Sequence, residues 1–287
     1  MTGPQITAFF DEATNSVSYL VADPNSRAAA VIDPVLDFDA ASGTVSTQSA
    51  ERILAAAAEQ GLGIAWVLET HVHADHLSAA AHIRERTGAK VGIGQGVGDV
   101  QAAFAPVFGA DDLADDDFDR LFEDGATVAL GDLTIEVIAT PGHTPACVCY
   151  RIGDAAFIGD TLFMPDYGTA RTDFPGGDAA KLYRSIQRIF ALPPETRLFL
   201  CHDYKAPRRN DYAWQTTVAE EAANNVHIGG GASEQAFVEM RHARDATLCA
   251  PKLLYPAIQV NIRGGRLPPP GPDGSRYLKI PVTIAGT

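Results

Sequence analysis

A chain of 287 residues, 46% of them hydrophobic, can bury a sizeable core without help from disulfides. Its net charge of −14 makes nucleic acid and anionic membrane surfaces poor partners, so any anionic small molecule has to be drawn in by local cations. No basic segment followed by an apolar one opens the chain, and no apolar run approaches a membrane span; a cytoplasmic location is the expectation.

Taken in order, residues 16–22 and 28–32 are short β-rich runs, the second ending at Asp33-Pro34, and read as an antiparallel meander. Residues 49–60 change to helical spacing and stop at Gly61 and Gly63. An apolar strand at 64–68 then runs into Thr70-His71-Val72-His73-Ala74-Asp75-His76, and a helix is predicted over 77–86. Four metal-capable side chains in six positions after a strand can bring nitrogens and a carboxylate to one point, which core packing alone seldom demands. The acidic run 111–119 reads as an exposed loop or a fraying helix, with no chemistry assigned to it.

A second β-rich block covers 126–157, with Gly131-Asp132 and Gly153-Asp154 as hairpin signals. Two of its strands end in further candidate ligands, His143 in Thr-Pro-Gly-His-Thr-Pro and Asp160 in Gly-Asp-Thr. A helix at 179–190 and a strand at 197–200 lead to Cys201-His202-Asp203-Tyr204. Ligands at the carboxyl ends of strands are where open sheets place chemistry. Two β blocks, each followed by helices, predict two face-to-face sheets with helices outside, a four-layer αββα sandwich in the α/β class. Helices are predicted at 217–225 and 233–243, and the Pro- and Gly-rich stretch 264–274 is read as a surface wrap. With no repeat visible, 1–287 is taken as one domain, and 205–287 as a C-terminal extension packed on it. Cys147, Cys149, Cys201 and Cys249 are too few and too irregularly spaced for a disulfide framework and read as small buried hydrophobes.

The candidates His71, His73, Asp75, His76, His143, Asp160 and His202 follow the order and wording of the metallo-β-lactamase superfamily, which the chain resembles over most of its first 204 residues. The flanking segments, Ala-Arg-Thr-Asp-Phe at 170–174 and His-Asp-Tyr at 202–204, are similar to its persulfide dioxygenase branch, as is the tail around Val218, Phe237, Pro251-Lys252 and Asn261-Ile262-Arg263.

That resemblance implies one Fe(II) per chain held by His71, His143 and Asp160, a two-His, one-carboxylate facial triad with open positions. His73, Asp75, His76 and His202 are then left to orient ligands or water. The implied substrates are glutathione persulfide and dioxygen, the products sulfite and glutathione. Tyr204 matches a tyrosine that contacts glutathione, and Arg171, Lys205 and Arg209 are the expected partners of its carboxylates, with Arg263 next in line. No nucleic acid or membrane partner is expected, and a homodimer is left open. The interval from Asp160 to Arg171 is longer than in simpler members, which leaves the placement of Arg171 open.

The residue types alone leave two alternatives. The same seven side chains could hold two zinc ions, with His71, His73 and His143 on one, Asp75, His76 and His202 on the other and Asp160 between them, as in a hydroxyacylglutathione hydrolase. A metal-binding module without catalysis is the third reading.

Overall fold

The computed structural model describes residues 3–114 and 116–284; Met1, Thr2 and residues 285–287 lie outside the described residues, as does Asp115 of the acidic run. A first sheet is built from β1 (Gln5–Asp11), β2 (Ser16–Ala22), β3 (Ala28–Ile32), β6 (Gly63–Leu68), β8 (Lys90–Gly94) and β9 (Arg120–Phe122), in that order. It is antiparallel across β1, β2 and β3 and parallel from β3 to β9. A small sheet, β4 (Val35–Asp39), β5 (Thr44–Ser46) and β7 (Leu77–Ser78), sits beside it. The second six-stranded sheet runs β10 (Thr127–Leu130), β11 (Leu133–Ala139), β12 (Val148–Ile152), β13 (Ala155–Phe157), β14 (Arg197–Phe199) and β15 (Gln215–Thr217).

Period-two alternation places the layers. Along β2, Tyr19 and Val21 belong to the core between the sheets and Leu20 to the core on the other face. Tyr19, Ile32 and Leu68 of the first sheet thus share a core with Ile135, Tyr150 and Phe157 of the second. Outside the first sheet pack α1 (Gln48–Glu59), α2 (Ala80–Thr87), α3 (Val97–Phe108) and, from the far end of the chain, α7 (Leu254–Asn261). Outside the second lie α4 (Ala179–Phe190), α5 (Val218–Asn224) and α6 (Glu234–Asp245). Helix α4 starts where Asp178 caps the Lys181 amide, and Leu182, Ile186 and Ile189 form its buried stripe. The layers are the predicted αββα sandwich.

Several elements differ from expectation. Leu77–Ser78 is a strand paired with β4, because the ligand loop continues in extended form, and the helix begins only at Ala80. Helix α3 went unpredicted, its pattern broken by Gly98 and Pro106. The chain after residue 205 is woven into both halves: β15 completes the second sheet, and Ala257, Ile258 and Val260 of α7 enter the core of the first. Cys249 is exposed, against expectation, while Cys147, Cys149 and Cys201 are buried.

Candidate metal centre

The two sheets open onto a common edge where four strand-end loops meet. The first loop follows β6 and carries His71, His73, Asp75 and His76; the others follow β11, β13 and β14 and carry His143, Asp160 and His202. Backbone stitches hold them in register: the Val148 amide donates to the Thr70 carbonyl at 2.8 Å, and the Val17 amide to that of Cys201 at 2.7 Å. Tyr150, from the core between the sheets, donates its phenol to the Glu69 carbonyl at 2.8 Å. Gly159 packs against the first loop. Its φ is +52°, and a Cβ there would lie 2.6 Å from the Thr70 hydroxyl, so a side chain would push Asp160 away from His71.

The histidine tautomers follow from their partners. His143 Nδ1 lies 2.8 Å from the Arg171 carbonyl, His202 Nδ1 3.2 Å from that of Asn15 and His76 Nδ1 3.3 Å from that of Leu77. A carbonyl only accepts, so each Nδ1 carries the hydrogen and each Nε2 lone pair faces the centre. The Thr70 hydroxyl donates to Asp33 at 2.8 Å and so accepts from His71 Nδ1 at 3.0 Å. His73 is reversed: its Nε2 is gripped by Asp33 at 3.1 Å and Glu69 at 3.2 Å, which leaves Nδ1 facing inward.

His71 Nε2, His73 Nδ1, His76 Nε2, His202 Nε2 and Asp160 Oδ1 are all buried without a hydrogen-bond partner. Isolated orphans of this kind cost about 1–3 kcal/mol each, and a cluster of five electron-pair donors fits a cation. The ligand atoms of His71, His143 and Asp160 lie within 4.8 Å of one another as one group; those of His73, His76, Cys201 and His202 form another. His71 and His143 reach Asp160 Oδ2 at 3.8 and 3.6 Å, and His202 reaches its Oδ1 at 3.4 Å and Asp75 at 3.2 Å.

Burial drives His71 well below its ordinary value and His76 down to about 3, so both rings are neutral, as ligands must be. Burial also opposes charge on His73 and His202, but Asp33 outweighs it for the first and Asp75 with Asp160 for the second, raising both. Asp160 is raised by burial, with His202 and His143 pulling the other way. A bound cation competes with these protons for the same lone pairs.

Asp33 and Glu69 were missed by sequence reasoning, although Asp33 ends an apolar strand just as Asp160 follows one. Asn15 and Asp33, whose backbone carbonyl and carboxylate respectively hold His202 and His73, both sit at positive φ, +55° and +49°. Asn and Asp tolerate that region better than other side chains, and the strained turns aim their oxygens at the rings.

A cavity of about 630 Å³ opens over Asp75, His143 and Asp160. Phe163, Tyr167 and Tyr204 form an aromatic wall, with Tyr204 stacked on His202 at 5.4 Å between centroids. Burial raises the Tyr204 phenol, and Asp75 and Asp160 raise it further, so it stays protonated and able to donate.

The expected cations are placed differently. Arg171 lines the cavity, but both arms of its guanidinium are held by Asp173 at 2.5 Å and a third nitrogen bonds the Cys249 carbonyl at 2.7 Å. Lys205, expected on substrate, is turned away by its φ of +61° and lies over the Tyr212 ring at 4.1 Å. Arg209, also expected there, is committed to Asp203 at 2.5 Å and Asp166 at 2.8 Å, which ties the segments bearing Tyr204 and Tyr167 together. Arg263 is paired with Asp112, away from this cavity. Instead Arg244 and Lys252 stand on the cavity wall, with no ion pair among the described residues.

Comparison with known proteins follows the same lines. Residues 12–202 match the family model described as the metallo-beta-lactamase superfamily. A probable metallo-hydrolase of Burkholderia pseudomallei is 51% identical over 96% of this chain and 98% of its own length. Glyoxylase B2 of Dictyostelium discoideum is 43% identical over 92% and 91%. The mitochondrial persulfide dioxygenase ETHE1 of Homo sapiens is 30% identical over 89% of this chain and 87% of that protein. The crystal structure of ETHE1 from Myxococcus xanthus superposes with a TM-score of 0.74 at 33% identity, covering 91% of this chain and all of that one. The chain spans 65% of the length of the beta-lactamase hydrolase-like proteins of Agrobacterium fabrum and Xylella fastidiosa that it also matches.

Proposed function

The chain belongs to the metallo-β-lactamase superfamily, and on that footing we propose that it is a persulfide dioxygenase, with one Fe(II) per chain held by His71, His143 and Asp160. The observation that carries this reading is the separate convergence of those three side chains while His73 is drawn to Asp33 and Glu69. Two imidazoles and one carboxylate are the donor set of oxygen-activating non-haem iron, and the likeness to ETHE1 proteins supports the same choice. Bound there, the metal supplies open positions for a sulfur and for dioxygen.

The rest is done by the chain. Arg244 and Lys252 take the carboxylates of glutathione from the cavity wall, and the Tyr204 phenol donates to the bound substrate above His202. Phe163 and Tyr167 exclude water from one side, which strengthens those charged contacts. Overall, glutathione persulfide, dioxygen and one water give glutathione and sulfurous acid: the terminal sulfur yields four electrons to dioxygen, and the S–S bond breaks with the thiol as leaving group. His202, between Asp75 and Asp160, is placed to hold or release a proton at Nε2.

One observation favours a second reading. The free nitrogens of His73, His76 and His202 would also serve a second ion, and relatives named metallo-hydrolase or glyoxylase accord with a dinuclear thioester hydrolase. An oxygen electrode separates the two. Oxygen uptake on glutathione persulfide with release of sulfite supports the dioxygenase, whereas rapid hydrolysis of lactoylglutathione without oxygen uptake overturns it.

A further inference from the structure

Between Gly168 and Thr172 the chain is bonded at several points by the segment 225–245. The Gly168 carbonyl accepts from Asn225 Nδ2 at 3.0 Å, and the Thr169 amide donates to His227 Nδ1 at 2.9 Å. The Thr169 carbonyl accepts from Arg241 Nη1 at 3.1 Å, and the Thr172 amide and hydroxyl both donate to Asp245 Oδ2 at 2.9 Å. In the middle of this clamp stands the Arg171 carbonyl, which takes the Nδ1 hydrogen of His143. The fit is also steric: Gly168 has φ +109°, and a Cβ there would lie 2.1 Å from His227 Nδ1.

Arg241 and Asp245 are only 2% and 7% exposed and are joined through Nε at 3.0 Å and Nη2 at 2.7 Å. Taking both charges out of water is expensive, and a pair of apolar residues would serve stability as well or better. Stability alone therefore does not account for the pair. What charged side chains supply and apolar ones cannot is directed bonding to the loop: Arg241 holds the carbonyl of Thr169, and Asp245 the amide and hydroxyl of Thr172, on either side of Arg171.

We propose that Arg241 and Asp245 are positioning residues for His143: by fixing residues 169–172 they set the Arg171 carbonyl, and through it the tautomer and direction of the imidazole. The proposal rests on reading His143 as a metal ligand. Removing a group that orients a ligand typically lowers metal affinity about 10- to 100-fold. On this account α6 is part of the metal site, although none of its residues touches the metal-facing atoms.

The test is Fe(II) affinity by anaerobic competition with a chelator, together with the visible spectrum of the Co(II)-substituted protein. The double variant Arg241→Met with Asp245→Leu keeps an apolar, filled helix contact but no loop bonds; it should fold, bind Fe(II) at least about 10-fold more weakly and show an altered Co(II) spectrum. Thr172→Val, which removes one donor to Asp245, should lose affinity about threefold by the same physics, and Thr172→Ser should restore it. Wild-type affinity and spectrum in a folded double variant overturn the proposal. If the double variant does not fold, Thr172→Val decides, and unchanged affinity there overturns it. His143→Ala separates the two levels: if it keeps full affinity, the ligand reading fails, whereas if it loses metal while the clamp variants do not, only the positioning role fails.

Discussion

The first sheet delivers His71, His73, Asp75 and His76 from a single loop, and the groups that orient His71 and His73, namely Thr70, Asp33 and Glu69, come from that loop or the neighbouring strand end. The second sheet delivers His143, Asp160 and His202 from three strand ends, and its two histidines are aimed by carbonyls of remote segments, Arg171 and Asn15. The candidate ligands of one half thus stand together in sequence, while those of the other are brought together only by tertiary structure. The histidine loop is held from several sides, by Asp33 and by Asn261, whose side chain donates to the His73 and His76 carbonyls at 2.8 Å. The assembled half depends on whatever holds the remote carbonyls.

Direct loss of a ligand sets the scale of that comparison. His71→Ala from the local half and His143→Ala or Asp160→Ala from the assembled half should each abolish iron binding and activity, while His202→Ala should leave iron in place and slow turnover, as metal analysis and steady-state rates will show. Equal iron loss in His202→Ala would erase the distinction between the three-ligand group and its neighbours.

The cations give the next largest effect. Arg244→Ala and Lys252→Ala should each raise KM about 10- to 150-fold at full iron content, the worth of a charged hydrogen bond of about 1.5–3 kcal/mol. Arg209→Ala should act on folding instead, because it strands the buried Asp203 carboxylate; loss of such a partner costs about 3 kcal/mol, read as a melting temperature lower by about 6–10 °C. A raised KM at unchanged stability in Arg209→Ala would return that residue to the substrate.

The smallest effect is a pH dependence that belongs to the assembled half. His227, held as an acceptor by Thr169, is lowered to about 4 by burial and then by Arg241 and Arg244. Its folded value lies below its unfolded one, so the unfolded chain binds more protons between those values. The contribution is complete above about pH 6.5 and is lost as pH falls towards 4. The full shift amounts to about 2 kcal/mol at pH 5, and solvent screening of this partly exposed ring reduces it to about 1 kcal/mol. Denaturant titrations at pH 7 and pH 5 should show that loss in the wild type and a flatter profile in His227→Gln.

The same division explains what could be read in advance. His71, His73, Asp75 and His76 announce themselves by spacing, and His143, Asp160 and His202 by following apolar strands, so all seven meet at one edge of the sandwich. The cations of the cavity wall could not be found that way. Lys205 and Arg209 are near His202 in sequence, yet a positive φ turns one aside and two carboxylates claim the other. Arg244 carries no such signal in the sequence, and the packing of α6 against the 168–172 segment brings it to the cavity beside Lys252. Asp33 is legible by the rule that finds Asp160, since each follows an apolar strand.

Metal stoichiometry of anaerobically purified protein, reconstituted with Fe(II) and measured by elemental analysis against protein concentration, tests the central claim most directly. The account predicts one tightly held iron per chain, lost on substitution of His143. Two tightly held ions per chain, with the second lost on substitution of His76 or His202, would contradict it.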